Sequence, residues 1–141
     1  MQIEFEVLGK VKAKQSVKFA NIGGFMRKYT PSDVKSYANW VKLSFMQKYP
    51  NWDINTFNNA SLMCEIDVDF LIPKSFTKSK KELAAAGIIR PTVKPDCDNI
   101  AKNINDALNG IAFSDDKQIV SLTIRKWYSD SEKVKIRISE I

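Results

Sequence analysis

The chain has 141 residues, 44% hydrophobic and 27% charged, which suits one compact domain with its own core, expected to span residues 1–141. Its 22 Lys plus Arg against 16 Asp plus Glu give a net charge of +6, favouring a polyanionic partner. It has no histidine, which excludes Ser-His-Asp and Cys-His catalysis and His-ligated zinc, and its two cysteines match neither a zinc spacing nor a disulfide framework.

Ile3, Phe5 and Val7 alternate with Gln2, Glu4 and Glu6, predicting a half-buried strand that ends at Gly9. Met1 to Phe5 contain no basic segment leading into an apolar run, and no stretch approaches membrane-spanning length. A cytoplasmic protein with no membrane partner is expected. Lys10, Lys12, Lys14 and Lys18 then begin a basic segment that continues through Gly23-Gly24 to Arg27-Lys28-Tyr29, read as an exposed arm or hairpin able to meet phosphates.

Thr30-Pro31-Ser32-Asp33 carries helix-start signals. Val34, Tyr37, Trp40, Val41 and Phe45 follow at helical spacing and are read as core rather than as a base-stacking surface. Residues 50–60 read as a loop. Cys64, Ile66, Val68, Phe70 and Ile72 then alternate with acids in a clear strand, where Asp67 and Asp69 are taken as a solvated face rather than as metal ligands. Lys74, Lys78, Lys80 and Lys81 make a second basic patch, open to both a solvated-face and a phosphate-binding reading, before a short helix around Glu82 to Ala86. Ile100, Ile104, Ala107 and Leu108 form the stripe of a helix from Asn99 to Asn109, stopped by Gly110. Strands at Ile119 to Trp127 and around Val134, Ile136 and Ile138 close the chain, so the predicted class is α+β, a mixed sheet covered by helices.

The densest chemistry lies in Lys94-Pro95-Asp96-Cys97-Asp98-Asn99-Ile100-Ala101-Lys102, followed after one helix by Ser114-Asp115-Asp116-Lys117-Gln118. Asp96 and Asp98, one residue apart before a helix, project to one side. Helix capping explains one such aspartate but not four acids. A reversal at Asn109-Gly110 is expected to bring Asp115 and Asp116 back beside the first pair, giving the oxygen-rich site that Mg²⁺ takes in phosphodiester hydrolysis. Lys102, one helical turn beyond Asp98, is read as a functional lysine over that site rather than as a surface ion pair. A calcium EF-hand is excluded by Ala101 and Ala107, where that loop needs Gly and Glu.

These motifs, with Asp106-Ala107-Leu108-Asn109-Gly110 between them and Ile119-Val120 after them, closely resemble in content and order those of the RusA family of Holliday junction resolvases. Weaker similarity runs from Gly9-Lys10 and Lys14-Gln15 through Tyr29-Thr30-Pro31 and Pro73-Lys74-Ser75 to the terminal strands. The resemblance implies a homodimeric, Mg²⁺-dependent endonuclease, with Mn²⁺ as a substitute and no organic cofactor. Its partner would be four-way junction DNA, nicked in pairs to leave 5′-phosphate ends during recombination and repair, in a bacterial cell or as a phage-encoded protein in its host. By position, Asp96, Asp98 and Asp116 match the family's essential, metal-holding acids, Asp115 the accompanying acid and Lys102 the essential lysine.

Two departures stand out. Gln15-Ser16-Val17-Lys18 stands where the family often has Gln-Arg-Pro-Arg, so the arginine contacts that the resemblance implies for that arm are partly missing, and Cys97 stands where an aliphatic residue is common and is given a packing role. A nuclease of flaps or forks, or a catalytically silent DNA-binding protein, are the other functions weighed; the complete acid and lysine set argues against the silent one.

Overall fold

The computed structural model describes residues 1–12, 18–22, 25–29 and 32–141, with side chains described for 1–12 and 36–141. Alternating sequences build a two-faced sheet. In β1 (Gln2–Leu8), β4 (Leu62–Leu71) and β6 (Lys133–Glu140), the apolar residues of each alternation are buried and the charged ones point away. With β5 (Ile119–Ser129) the strand order is β1-β6-β4-β5, and only the β4–β5 pair is parallel. A separate antiparallel hairpin joins β2 (Lys18–Ile22) to β3 (Phe25–Tyr29), as the basic arm suggested. Together with α1 (Ser32–Lys48), α2 (Lys78–Ala85) and α3 (Cys97–Leu108), this is the expected α+β arrangement with a mixed sheet.

Helices α1 and α3 close one face of the sheet, while α2 packs against the edge strand β5. Phe45 of α1 packs against Phe5, Tyr49 and Trp52 at ring-centroid distances of 5.3, 5.4 and 5.8 Å. From α3, Ile100, Ile104, Ala107 and Leu108 enter the same core, as their spacing predicted. Fully buried Phe or Ile side chains each stabilise the fold by about 1.5–3 kcal/mol.

Several boundaries differ from the sequence reading. The helix-start signal at Thr30-Pro31 lies outside the described residues, as does the side chain of Val34. Trp40, expected in the core, is 38% exposed because its indole Nε1 donates to the Leu8 carbonyl at 2.7 Å, which holds the ring at the rim. The loop at 50–60 contains a 3₁₀ turn, Ile54–Phe57, capped by the Asp53 carboxylate, which accepts from the Asn55 N–H at 2.9 Å. α2 begins at Lys78, a turn before the expected start, since the Thr77 hydroxyl accepts from the Lys80 N–H and caps the helix.

Parallel pairing of β4 and β5 fixes where α3 begins. The chain leaves the C-terminal end of β4, passes through α2 and must return to the start of β5, so α3 runs back along the sheet and its first turn lies at the C-terminal ends of both strands. A hydrogen bond from the Lys126 ammonium, near the end of β5, to the Val93 carbonyl ties the loop before α3 to that end. Crevices outside the carboxyl ends of parallel strands are the usual place for ligands in such sheets.

Candidate active site

α3 starts where Asp96 adopts an extended N-cap conformation, φ −78° and ψ 159°, after a cis Lys94–Pro95 peptide. The Asp96 side chain makes no capping bond to the helix backbone; its Oδ1 instead accepts from Asn99 Nδ2 at 2.6 Å. Capping of the helix backbone therefore does not account for Asp96. Asp98, in the first turn, and Lys102, one turn on, are exposed on the outward stripe of α3, opposite Ile100 and Ile104. Cys97 is half-buried between the two acids, in keeping with a packing role.

The second acidic pair is held by a different device. Asp115 and Gln118 form a capping box around a 3₁₀ turn, Asp116–Gln118: Asp115 Oδ1 accepts from the Lys117 N–H at 3.0 Å, while Gln118 Oε1 accepts from the Asp115 N–H at 3.2 Å. Gln118 Nε2 also donates to the carbonyls of Asn58 and Ala60 at 2.9 and 3.1 Å. Trp52 Nε1 donates to the Ala112 carbonyl at 3.0 Å and fixes the preceding turn. The Asp115 carboxyl is held below its usual range, chiefly by the Lys117 N–H. Asp116 is pushed upward, first by desolvation, then by its hydrogen bond with Asp115 and by the charges of Asp115 and Asp106.

Asp116 thus lies in the company of Asp106, in the last turn of α3, whereas Asp96 and Asp98 lie at its start. Eight residues of helix separate Asp98 from Asp106, about 12 Å along the axis. Among the described residues, no group of three or more His, Cys, Asp or Glu side chains is close enough to hold a metal ion. The reversal at Asn109-Gly110 does occur, with Gly110 at φ +76°, yet it returns the second pair to the far end of α3. The four acids consequently stand as two pairs. Either pair suits Mg²⁺ in the chemistry of its donors, since that ion commonly takes one or two carboxylates and fills its octahedron with water and phosphate oxygens.

The basic residues divide by face. On the sheet face turned away from the helices, Arg125 grips Asp67 through Nε at 2.7 Å and Nη2 at 3.0 Å, and Trp127 Nε1 donates to the same carboxylate at 2.9 Å. Arg137 joins Glu4 and Glu65 at 3.0 and 3.3 Å, while Lys135 and Lys133 pair with Glu4 and Glu6 at 3.8 and 3.7 Å. Asp67 is therefore an ion-paired strand residue rather than a solvated one, and neighbouring Asp69 lines an open depression beside Lys133 and Lys135. Cations there are spent on carboxylates.

The site helix has other cations near it. Lys102 is exposed on its outward stripe, and Lys12 is fixed alongside because buried Asn103 donates to the Lys12 carbonyl at 3.0 Å. Lys10, Lys74, Lys78, Lys80 and Lys81 are all exposed, whereas Lys14 and the side chain of Lys18 lie outside the described residues. Asn103 and Lys126 do not stand out in the sequence, and Gln118 does so only as the last residue of the second acidic motif, with no role of its own. The only signal for Asn103 was a polar residue next to an apolar stripe, and for Gln118 its place three residues after Asp115, the spacing of a capping box.

Among the described residues, no helix is long and apolar enough to cross a membrane. A family profile described as "Endodeoxyribonuclease RusA" matches residues 9–139. A Bacillus subtilis (strain 168) protein called "Uncharacterized protein YqaN" is 33% identical over 141 residues, covering 99% of this chain and 96% of the relative. With nearly its whole length matched, including both acidic pairs and the helix between them, this chain belongs to the RusA endodeoxyribonuclease family.

Proposed function

We propose that this protein is a Holliday junction resolvase, a homodimer that nicks two opposing strands of a four-way DNA junction and leaves 5′-phosphate ends. The observation that carries the reading is the first turn of α3, where Asp96 and Asp98 stand exposed with Lys102 one turn beyond, in a chain of the RusA family. Asp96 and Asp98 would hold Mg²⁺ or Mn²⁺, with Asp116 as the third acid. Bound there, the ion supplies Lewis-acid polarisation and an acidified water.

The chain's own residues do the rest. The free N–H groups and positive dipole end of α3 favour a phosphate at its first turn. Lys102 offsets the negative charge that builds as water adds to phosphorus and the bond from phosphorus to the 3′-oxygen breaks. The leaving oxygen takes a proton to become a 3′-hydroxyl, and the phosphate stays on the 5′ end. Asn99 orients Asp96 through their hydrogen bond, and Asp115 positions Asp116 by capping the turn that carries it. Lysines 10, 12, 74, 78, 80 and 81 supply the phosphate contacts, since the ion pairs of the opposite sheet face leave little free positive charge there.

The test is incubation of purified protein with a labelled four-way junction and a matched linear duplex, in Mg²⁺ or in EDTA, beside the Asp98→Asn protein. Paired nicks confined to the junction, absent in EDTA and lowered at least about 100-fold in Asp98→Asn, are expected. Equal cutting of linear duplex indicates a general nuclease, and tight binding without cutting indicates a DNA-binding protein; either overturns the proposal.

A further inference from the structure

We propose that the C-terminal ends of β4 and β5 carry a stacking platform for an unpaired nucleotide of the bound DNA. The proposal rests on the nuclease reading above and extends it to how branched DNA is told from duplex. Phe70 and Tyr128 are register partners at the ends of the two parallel strands. Phe76, in the turn after β4, meets Tyr128 edge-on, with ring centroids 5.6 Å apart and planes at 77°. Lys80 places its ammonium 4.1 Å from the Phe76 ring centroid, and Lys126 places its own 5.0 Å from that of Phe70. Lys126 also donates to the Val93 carbonyl, three residues before Asp96 in the chain, so the platform is continuous with the acidic loop.

This cluster lies at the edge of the core. Phe5, Phe45 and Phe57 are each 1% exposed, whereas Phe70, Phe76 and Tyr128 are all half-buried, Phe70 packs against the core from its rim, and Phe76 and Phe70 each carry an ammonium group over one ring face. Neither lysine is paired with a carboxylate among the described residues; the sheet's acids engage Arg125, Lys133, Lys135 and Arg137 instead. Aromatic rings that stack bases, with cations tracking the backbone, are the common device for holding single strands without regard to sequence. A paired duplex offers no base face to such rings. A branch point does, because bases next to the exchange of strands can leave the stack at modest cost. The platform therefore favours branched over linear DNA and holds the unpaired nucleotide beside Asp96 and Asp98.

The experiment compares wild type, the Phe76→Leu/Tyr128→Leu double variant and Lys80→Met in EDTA, where no cutting occurs. It measures affinity for a short thymidine single strand and the fluorescence of 2-aminopurine placed at the branch point of a four-way junction. Wild type is expected to bind the single strand and raise the fluorescence. The double variant should lose about tenfold in single-strand affinity and most of the fluorescence rise, with linear-duplex binding unchanged. Lys80→Met, at an exposed helix position, removes the ammonium over Phe76 while keeping all three rings and should weaken single-strand binding several-fold. Thermal melting confirms that each variant is folded. If folded variants match wild type in both readouts, the platform is wrong. Nicking by the same preparations in Mg²⁺ is scored separately, so a protein that shows these effects but never nicks refutes the nuclease reading alone.

Discussion

Cys64 and Cys97 sit in opposite environments, and their reactivity should separate accordingly. Cys64 is fully buried on β4, with its Sγ 3.7 Å from Asn105 Oδ1, and burial, aided by the charge of Glu65, pushes its thiol up to about 12. Cys97 is half-buried at the start of α3. A disulfide reagent at neutral pH should therefore titrate one thiol per native chain and a second only in denaturant; two fast thiols in the native protein would contradict this packing. Asp67 makes a second residue-level case. The Arg125 guanidinium holds its carboxyl below the usual range of about 3.9, so the pair's contribution is complete above that value and fades as pH falls through the lowered one. Burial acts oppositely on Asp69, whose raised value makes its protonation favour the fold as pH drops, so the two partly cancel. Urea unfolding should show wild type losing about 1 kcal/mol more than Asp67→Asn between about pH 5 and about pH 3. Parallel acid limbs for the two proteins would remove Asp67 from the account.

Among the elements, the 3₁₀ turn that presents Asp116 is the one whose failure should be visible in both stability and activity. Gln118 closes the capping box and bridges to the carbonyls of Asn58 and Ala60, so Gln118→Ala leaves several polar groups unsatisfied at once. A loss of about 1–3 kcal/mol in urea unfolding is expected, together with slower junction cleavage, because Asp116 loses its fixed position. If stability falls and cleavage does not, the turn matters only to the fold. This turn also marks the limit of what the sequence makes legible. Strands β1, β4 and β6 and the stripe of α3 are plain in the alternation and spacing of their apolar residues, since burial on one face imposes that period directly. Asp96, Asp98 and Lys102 are legible because one helix turn carries them. Where Asp115 and Asp116 come to rest depends on long-range contacts, Trp52 with Ala112 and Gln118 with Asn58, which no local pattern encodes. Asp67 was misread for the same reason: its partner Arg125 lies on a strand 58 residues away.

At the scale of the whole molecule, the acids of the proposed three-acid site are found as two separate pairs. A closed twofold dimer presents each pair twice, and such a dimer also suits a substrate that has to be cut at two symmetric places. Asp116 of one chain completing the Asp96 and Asp98 pair of the other is the arrangement that needs no refolding of α3, whose buried stripe ties both of its ends to the core. Subunit mixing tests this directly. Asp98→Asn and Asp116→Asn homodimers should each be inactive, since every site lacks an acid. In a mixed dimer with shared sites, one site carries both substitutions and the other carries neither, so mixing two inactive proteins should restore metal-dependent cutting, as one nick per junction rather than two. If each site is built from a single chain, both sites of the mixed dimer are damaged and mixing restores nothing. Co-expression of the two variants with different affinity tags, isolation of the doubly tagged dimer and separation of nicked from resolved junctions on a gel distinguishes the outcomes.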